Sequence, residues 1–411
     1  MKIAVLGAGI IGISTAFELA KSGFNVTVFD KNSGPAEETS FANAGLIAPG
    51  HAFSWNSPNL LLNLIKPQAN ANSAFKIKFP PSLKLTNWGL KFLKNCSNSK
   101  FIEYSNAKRN LSSYSHKILK TIITEEKISC YYNPNGIYYL HRSENGLKKA
   151  ITKINNFPEL INDYEILDSN LLGQRDSFFK NNVFNSALIY NSDGSGDCYL
   201  FANQLMEKCI ELGVKFKFNS KINKLNLNKN RVQSIDINNE KIKADNFILS
   251  FGPFSQFYQN QIKTKIPVYP VKGYSLTIPI LKDNSLPKMS GIDEDNFLAF
   301  SRFGNNMRIT SRAEFSTFKK DINPTVIKHL LNLTQNIFKD SLDYNNVKVW
   351  TGFRAVTPKG TPYICKSKIE NLFLNTGHGH LGWTMASGSA KIISNLIQEK
   401  TQEIVITPFH L

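Results

Sequence analysis

Gly7-Ala8-Gly9-Ile10-Ile11-Gly12 is the stretch of sequence that decides the fold. It joins a short apolar run, Lys2–Leu6, to a run with helical spacing, Ile10–Lys21, and a second apolar run, Asn25–Phe29, follows. The change from strand to helix spacing and back predicts one strand-helix-strand unit. The sequence therefore predicts an α/β protein that begins with a Rossmann-like domain.

The three glycines and the aspartate of this unit each have a structural role. Gly7 permits the tight turn, Gly9 lets a pyrophosphate approach the helix N-terminus, and Gly12 allows the helix and the strand to pack closely. Asp30 ends the second strand 18 positions beyond Gly12, close to the ~20 expected for a carboxylate that accepts from ribose hydroxyls. This pattern predicts a dinucleotide site and leaves open whether the cofactor carries a nicotinamide or a flavin.

The segment after the second strand favours a flavin. A nicotinamide domain would continue with further parallel units, whereas Thr39–Leu46 is a loop of small and polar residues that suits a flavin ring. Farther along, helical spacing predicts helices at Ala202–Leu212 and Trp383–Leu396. Apolar or alternating runs predict strands at Val214–Phe218, Ile222–Leu227, Val232–Ile237 and Lys241–Leu249.

Composition narrows the class of protein. The 411 residues include 49 Lys plus Arg against 31 Asp plus Glu, a net charge of +18, and 42% are hydrophobic. That hydrophobic content excludes a disordered chain. The basic excess would attract nucleic acid, an anionic membrane or an anionic cofactor. Because the lysines are scattered and form no block, we interpret the charge mainly as compositional and expect no nucleic-acid partner.

The cysteines and histidines point to neither disulfides nor metal. Cys96, Cys130, Cys198, Cys209 and Cys365 are odd in number and never at CxxC spacing, and we expect no metal site. The apolar N-terminal run is interrupted by glycines, so it predicts neither a signal peptide nor a membrane span. We therefore expect a cytoplasmic protein, with contact to the inner face of the membrane as an open alternative.

Several motifs resemble those of the D-amino-acid oxidase-like flavoprotein superfamily. They are Glu38-Thr39-Ser40, Asn43-Ala44-Gly45, Pro49-Gly50-His51, Asp193–Cys198, Gly213–Phe216, Lys272–Thr277 and Asn375–Thr384. Within the superfamily, the chain resembles most the flavin subunits of bacterial D-amino-acid dehydrogenases. The resemblance spans essentially the whole chain and is weakest between about Asn70 and Lys180.

This resemblance implies a Rossmann-like FAD-binding domain with an inserted substrate domain built on a mixed or antiparallel sheet. The expected FAD-binding domain consists of residues 1–60, 194–261 and 347–411. Residues 61–193 and 262–346 are expected to form the substrate domain.

The resemblance also implies bound FAD and the residues that hold it. Because Cys365 lies outside the position where relatives attach a flavin, we expect a non-covalent cofactor. Backbone amides at the start of the helix after Gly382 would stabilise the negative charge that develops on reduced flavin. The expected cofactor-binding residues are Gly7, Gly9, Ile10, Ile11, Gly12, Asp30, Lys31, Thr39, Ser40, Asn43, Ala44, Gly45, Leu46, Ile222, Ser250, Gly252, Gly377, His378, Gly379, Leu381, Gly382, Trp383 and Thr384.

The expected catalytic residues are Arg354, Tyr274 and His378. Arg354 carries a planar fork that matches the two oxygens of a carboxylate, and in the family the arginine of this motif is associated with the substrate carboxylate. Relatives more often have Pro-x-Thr-Pro-Asp-Gly after it, where this chain has Ala355–Gly360, so the local charge differs. Tyr274 and Tyr138 lie on predicted strands and are candidates for substrate contact, with core packing as the alternative.

The implied reaction is the oxidative deamination of D-amino acids, alanine-like or proline, by hydride transfer to flavin N5, yielding a 2-oxo acid and ammonia. A respiratory quinone or another electron carrier would be the acceptor. The run Leu83–Cys96 combines leucines with lysines and is either a helix at an anionic membrane or a buried amphipathic helix. Two alternatives stay open: oxidation of proline, hydroxyproline or glycine, and a flavin-dependent tRNA-modifying enzyme.

Overall fold

A computed structural model describes residues 1–58, 75–77, 82–160, 162–315 and 317–411. The helices are α1 (Ile10–Lys21), α2 (Leu83–Leu93), α3 (Asn98–Glu125), α4 (Glu144–Ile154), α5 (Ser169–Arg175), α6 (Cys198–Glu211), α7 (Pro324–Phe338) and α8 (Gly382–Ile397). The expected boundary of the FAD-binding domain at residue 60 lies outside the described residues.

The strands form two large sheets and two small ones. In chain order they are β1 (Lys2–Leu6), β2 (Asn25–Phe29), β3 (Leu46–Ile47), β4 (Phe75–Ile77), β5 (Tyr138–His141), β6 (Tyr164–Asp168), β7 (Ser186–Tyr190), β8 (Gly194–Ser195), β9 (Lys215–Lys217), β10 (Ile222–Asn228), β11 (Arg231–Ile237), β12 (Glu240–Ile242), β13 (Asn246–Leu249), β14 (Tyr269–Pro279), β15 (Gly291–Asp293), β16 (Leu298–Phe303), β17 (Asn306–Phe315), β18 (Lys348–Val356), β19 (Tyr363–Lys366), β20 (Leu372–Thr376) and β21 (His378–Gly379).

The first large sheet has six strands in the order β19-β20-β13-β1-β2-β9. All neighbouring pairs are parallel except β19 with β20. The predicted strand-helix-strand unit is confirmed as β1, α1 and β2, with the expected bounds. The central strands are buried on both faces, as expected of a parallel sheet covered on each side.

Alternate residues of β1 explain the two layers on this sheet. Ile3 and Val5 pack into a core shared with α1, α3, α6 and α8. Ala4 and Leu6 face the opposite side, where they join a core with the antiparallel sheet β10-β11-β12. Because successive side chains of a strand point to opposite faces, one short run builds both layers.

The second large sheet has ten strands, in the order β21-β18-β14-β17-β16-β15-β5-β7-β6 with β4 paired to β17. Most pairs are antiparallel, and β15 with β5 and β17 with β4 are parallel. A mixed sheet beside a Rossmann-like sheet confirms the predicted fold class. The long strands β14, β17 and β18 form its centre and bring Arg354 toward the first sheet.

The prediction of a single strand over Lys241–Leu249 was wrong. The run Lys241–Leu249 divides into β12, which belongs to the three-stranded sheet, and β13, which belongs to the parallel sheet. Between them, Asp245 accepts a hydrogen bond from the Lys2 backbone N–H at 2.6 Å. None of the described helices is long and apolar enough to cross a membrane.

Candidate active site

A cavity of about 1050 Å³ lies between the two large sheets, at the carboxyl end of β1. This volume is at the upper end of the roughly 300–1,000 Å³ of small-molecule sites, enough for a large cofactor together with a substrate. Of the residues predicted from the sequence, the cavity is lined by Gly7, Gly9, Ile10, Ile11, Asp30, Lys31, Thr39, Ser40, Asn43, Ala44, Gly45, Leu46, Ile222, Ser250, Gly252, Tyr274, Arg354, Gly377, His378, Gly379, Leu381, Gly382 and Trp383.

Gly12 and Thr384 do not line the cavity, and each supports a neighbour that does. A Cβ on Gly12 would stand 1.8 Å from the Gly7 carbonyl oxygen, so only glycine lets α1 approach the turn after β1. Thr384 donates through Oγ1 to the Leu46 carbonyl at 3.4 Å and accepts from the Ala48 N–H at 3.2 Å. These contacts fix the turn and the flavin-type loop in place.

Asp30 closes the turn of the dinucleotide motif. Its carboxylate accepts the Ala8 N–H at 2.7 Å and the Asn32 N–H at 2.9 Å. Burial raises the pKa of Asp30, although those two hydrogen bonds oppose the rise. Each carboxylate oxygen accepts one backbone bond and retains a second lone pair, so Asp30 can also accept from a cofactor hydroxyl.

The loop Thr39–Leu46 connects the two sheets. Thr39 donates to the Phe353 carbonyl at 2.6 Å, on β18, and Ser40 accepts from the Ile10 N–H at the start of α1 at 3.2 Å. At the far end of the loop, Asn43 accepts from the Gly45 N–H at 2.9 Å. The loop is therefore anchored to β18 and α1 at its start, and a local turn closes its far end.

Two buried polar atoms on the wall fit a bound cofactor. The indole N–H of Trp383 and the hydroxyl of Ser250 have no hydrogen-bond partner among the described residues, and both residues line the cavity. Unsatisfied buried polar groups are costly and usually mark a missing partner. A polar ring or chain bound in the cavity would supply those partners.

The N-terminal end of α8 also points to an anionic group. No side chain caps this helix end at Leu381, so its first N–H groups stay available in the cavity wall beside Gly377–Trp383. His378, in the same wall, shares a hydrogen bond between Nε2 and Ser389 Oγ at 2.9 Å. Burial lowers the pKa of His378 to about 3, so its ring is neutral at ordinary pH.

The guanidinium of Arg354 is buried in the cavity wall. Its Nη1 donates to the Arg312 carbonyl at 2.7 Å, and among the described residues no carboxylate pairs with it. Burial lowers the pKa of Arg354 to about 10, and the group stays charged at neutral pH. A buried cation without a counter-ion is strongly unfavourable, so the site favours an anionic ligand group.

The two predicted tyrosines are placed differently from Arg354. Tyr274 borders the cavity, but its hydroxyl donates to Glu314 at 3.2 Å, and its ring belongs to the core packed against α7. Tyr138 was expected as a substrate contact and does not line the cavity. It is buried in the same core, with its hydroxyl 3.4 Å from Asp176, because its strand directs it to the far face of the sheet.

The sequence predicted no site role for three polar residues of the wall, His51, Lys153 and Glu294, although His51 belongs to the Pro49-Gly50-His51 motif. They come from the loop after β3, from α4 and from the end of β15, so no local spacing connects them. His380, within the Asn375–Thr384 motif, also lines the cavity and stacks on Trp55 with ring centroids 4.8 Å apart. No group of described residues is arranged to hold a metal ion.

Known structures share this architecture. Glycine oxidase from Geobacillus kaustophilus superimposes with a TM-score of 0.78 at 17% identity, covering 100% of this chain and 97% of that one. L-proline dehydrogenase from P. horikoshii gives 0.71 at 17% identity, with 99% and 96% covered. L-alpha-glycerophosphate oxidase from Mycoplasma pneumoniae, with FAD bound, gives 0.71 at 16% identity, with 99% and 97% covered.

The family follows from the sequence match. Residues 2–396 match the DAO family, FAD dependent oxidoreductase, which confirms the superfamily named from the motifs. With the parallel sheet, the dinucleotide turn and the unsatisfied polar atoms of the wall, FAD is the cofactor that this cavity accepts. The chain belongs to the DAO family of FAD-dependent oxidoreductases.

Proposed function

We propose that this oxidoreductase oxidises D-amino acids, either alanine-like ones, which yield a 2-oxo acid and ammonia, or proline, which yields a cyclic imine. The observation that carries the proposal is the guanidinium of Arg354, which pairs with no carboxylate of the described residues and lies in the cavity that also contains the dinucleotide turn. An α-carboxylate would supply the missing counter-ion through two parallel hydrogen bonds. The preference for the D-enantiomer is proposed from the motifs, because the cavity wall alone does not distinguish the two faces of Cα.

Space for the guanidinium is built into β14. A Cβ on Gly273 would come within 2.5 Å of Arg354 Nη1. The glycine therefore leaves the volume in which the guanidinium lies, and the Arg312 carbonyl orients it from one side. A carboxylate fixed in this way sets the position of the substrate Cα, and such orientation is a large part of catalysis when few proton transfers are needed.

Bound FAD, which we expect to be non-covalent, supplies two-electron oxidation by accepting the Cα hydrogen as hydride. The neutral amine of the substrate loses its Cα hydrogen with two electrons and becomes an iminium ion. Water then converts the iminium ion to the 2-oxo acid and ammonium. The N–H groups at the start of α8, which no described side chain caps, line the cavity and would stabilise negative charge on a reduced flavin bound there. Neutral His378 adds no competing charge there.

We further propose that a quinone or another carrier reoxidises the flavin at a membrane surface. Helix α2 buries Leu85, Trp88 and Phe92, and it exposes Leu83 and Leu90 beside lysines. Exposed leucines flanked by basic side chains favour an anionic bilayer. Cosedimentation with anionic vesicles, compared with a Leu83→Ser/Leu90→Ser variant, tests this, and equal retention of both proteins would refute it.

The proposed reaction is tested by anaerobic titration of the yellow protein with both enantiomers of a panel of amino acids. We expect D-alanine or D-proline to bleach the flavin absorbance and to yield the matching 2-oxo acid or cyclic imine. Arg354→Ala should lower kcat/KM by roughly 30-fold or more with FAD retained, and Arg354→Lys should recover only part of it.

Other outcomes separate the alternatives. Bleaching by L-proline or glycine alone would contradict the D-amino-acid assignment while preserving amine oxidation. A yellow protein that no amino acid bleaches would overturn the substrate class. Flavin that stays with the acid-precipitated protein would overturn non-covalent binding.

A further inference from the structure

A second polar site lies in the same cavity as Arg354. Its residues are His51, Lys153 and Glu294, and Trp55 and Phe53 form the aromatic wall around them. None of the three belongs to the dinucleotide motif or to the carboxylate site. Their polar groups line the cavity beside these two sites.

The ammonium of Lys153 lacks a hydrogen-bond acceptor. Its Nζ lies 4.0 Å from the centroid of the Phe53 ring, a cation–π contact. Within the described ranges it makes no hydrogen bond or ion pair. Its three N–H donors are therefore available to a ligand in the cavity.

Glu294 is the acidic counterpart. The Nε2 atom of His51 lies 3.7 Å from the Oε1 atom of Glu294, beyond hydrogen-bond distance. The His51 ring is held in place by Tyr139, with ring centroids 4.3 Å apart. Burial and the charge of Lys153 lower the pKa of His51 well below its usual range, so the ring is neutral.

Lys153 and Glu294 attract each other without touching. Burial raises the pKa of Glu294 and lowers the pKa of Lys153, and in each case the charge of the other residue opposes the shift. No ion pair joins the two described side chains. Burial lowers the pKa of His380 well below its usual range, and the charges of Lys108, Arg354 and Lys153 add to the effect. The polar site and Arg354 line the same cavity.

We propose that His51, Lys153 and Glu294 form a recognition site for the substrate side chain, and that it selects a neutral group that both donates and accepts hydrogen bonds, a carboxamide or a hydroxyl. This inference rests on the proposed function, since it assumes that Arg354 holds the α-carboxylate. The acceptor atom of the side chain would bond to Lys153, and its donor would bond to Glu294.

The charges of Lys153 and Glu294 disfavour other kinds of substrate side chain. A carboxylate would pair with Lys153 but would face Glu294, and an ammonium would pair with Glu294 but would face Lys153. An apolar side chain would strip water from both charges and return no hydrogen bond, which is costly at a buried site. A neutral bifunctional group satisfies both charges at once.

The test uses D-asparagine, D-aspartate and D-leucine, which have nearly the same size and differ in charge and polarity. Glutamine and serine extend the series to a longer and a shorter side chain. We expect kcat/KM for asparagine, glutamine or serine to exceed the values for leucine and aspartate by at least about tenfold, as hydrogen bonds to charged groups predict. The difference should lie mainly in KM.

Two substitutions should move the preference in opposite directions. Glu294→Gln removes the repulsion of a side-chain carboxylate, so the ratio of aspartate to asparagine activity should rise by about tenfold. Lys153→Met removes the attraction, so the same ratio should fall. The matched controls are Glu144→Gln and Lys149→Met, on exposed positions of α4, which should keep the ratio of the unmodified protein.

Each result is decisive. If leucine is used as well as the polar substrates, or if both substitutions change the ratio in the same direction, the recognition site is refuted while amine oxidation stands. If no amino acid of either hand bleaches the flavin, the proposed function fails first. Flavin absorbance per chain checks folding, and Lys153→Gln replaces Lys153→Met if that variant loses its cofactor.

Discussion

The guanidinium of Arg354 occupies the volume that a side chain on Gly273 would need. Nη1 and Cζ would stand 2.5 and 2.9 Å from a Cβ at that position. The two residues are on adjacent antiparallel strands, β14 and β18. A glycine on one strand thus makes room for the buried cation of the other, and this relationship can be tested directly.

Gly273→Ala should displace the guanidinium without unfolding the chain, because the obstructing atoms are the end of a flexible side chain. We expect FAD content to stay unchanged and KM for amino acids to rise by at least about tenfold, as for the loss of a charged hydrogen bond. In an Arg354→Ala background, the same change should have no further effect on kcat/KM. Additive effects in this double-mutant cycle would contradict the displacement.

Gly12→Ala should act on the fold itself. The added Cβ would lie 1.8 Å from a backbone oxygen, which cannot rotate away, so α1 must shift from β1. Overpacking of this kind typically costs about 1–3 kcal/mol, and we expect weaker FAD binding with a lower melting temperature. Gly89→Ala in α2 is the control, since nothing lies within 4 Å of its Cβ and helix propensity should raise stability by about 0.5–1 kcal/mol.

The first thirty residues were predictable because their signals are local. Turn glycines and apolar spacing fixed the bounds of β1, α1 and β2. The break between β12 and β13 was missed because Lys241–Leu249 begins with alternating polar and apolar residues and contains no glycine or proline. The two halves join different sheets, and Asp245 between them accepts from the Lys2 N–H. Strand membership depends on distant partners that periodicity does not encode.

The residues of the site also divide into those that local motifs predict and those that only the tertiary fold brings together. Arg354 and the residues of Gly377–Trp383 belong to recognisable motifs, and the structure brings them to one cavity. His51, Lys153 and Glu294 come from segments far apart in sequence, and each alone is an ordinary polar residue. Only the tertiary fold places their charges together, and the same fold turns Tyr138 into the core.

Trp383→Phe should weaken the binding of FAD. The indole N–H is buried and unpaired among the described residues, so we expect the cofactor to accept from it and the Kd of FAD to rise by about tenfold. Trp88→Phe is the control, because the Trp88 N–H already donates to the Val356 carbonyl at 3.2 Å. The Trp88→Phe variant should lose stability while its Kd for FAD stays unchanged. If Trp383→Phe and the unmodified protein have the same Kd for FAD, the contact between the Trp383 indole and the cofactor is ruled out.

Lys108 predicts a specific dependence of stability on pH. Its ammonium is 2% exposed and donates to the Phe53 carbonyl at 2.8 Å, and burial lowers its pKa from 10.5 to about 7. Between these values the unfolded chain retains the proton and the folded chain does not. The folded state therefore binds fewer protons, and the contribution of Lys108 to the free energy of unfolding rises with pH.

Lys108→Met removes this titration. We expect the free energy of unfolding of the unmodified protein, relative to the variant, to increase between about pH 7 and pH 10, by up to about 1.4 kcal/mol per pH unit. Denaturant unfolding at several pH values measures this difference. The matched control is Lys120→Met, which removes a lysine from an exposed position of the same helix. Parallel curves for Lys108→Met and the unmodified protein would mean that Lys108 keeps its proton when the chain folds, and that the cavity wall at Phe53 tolerates a buried charge.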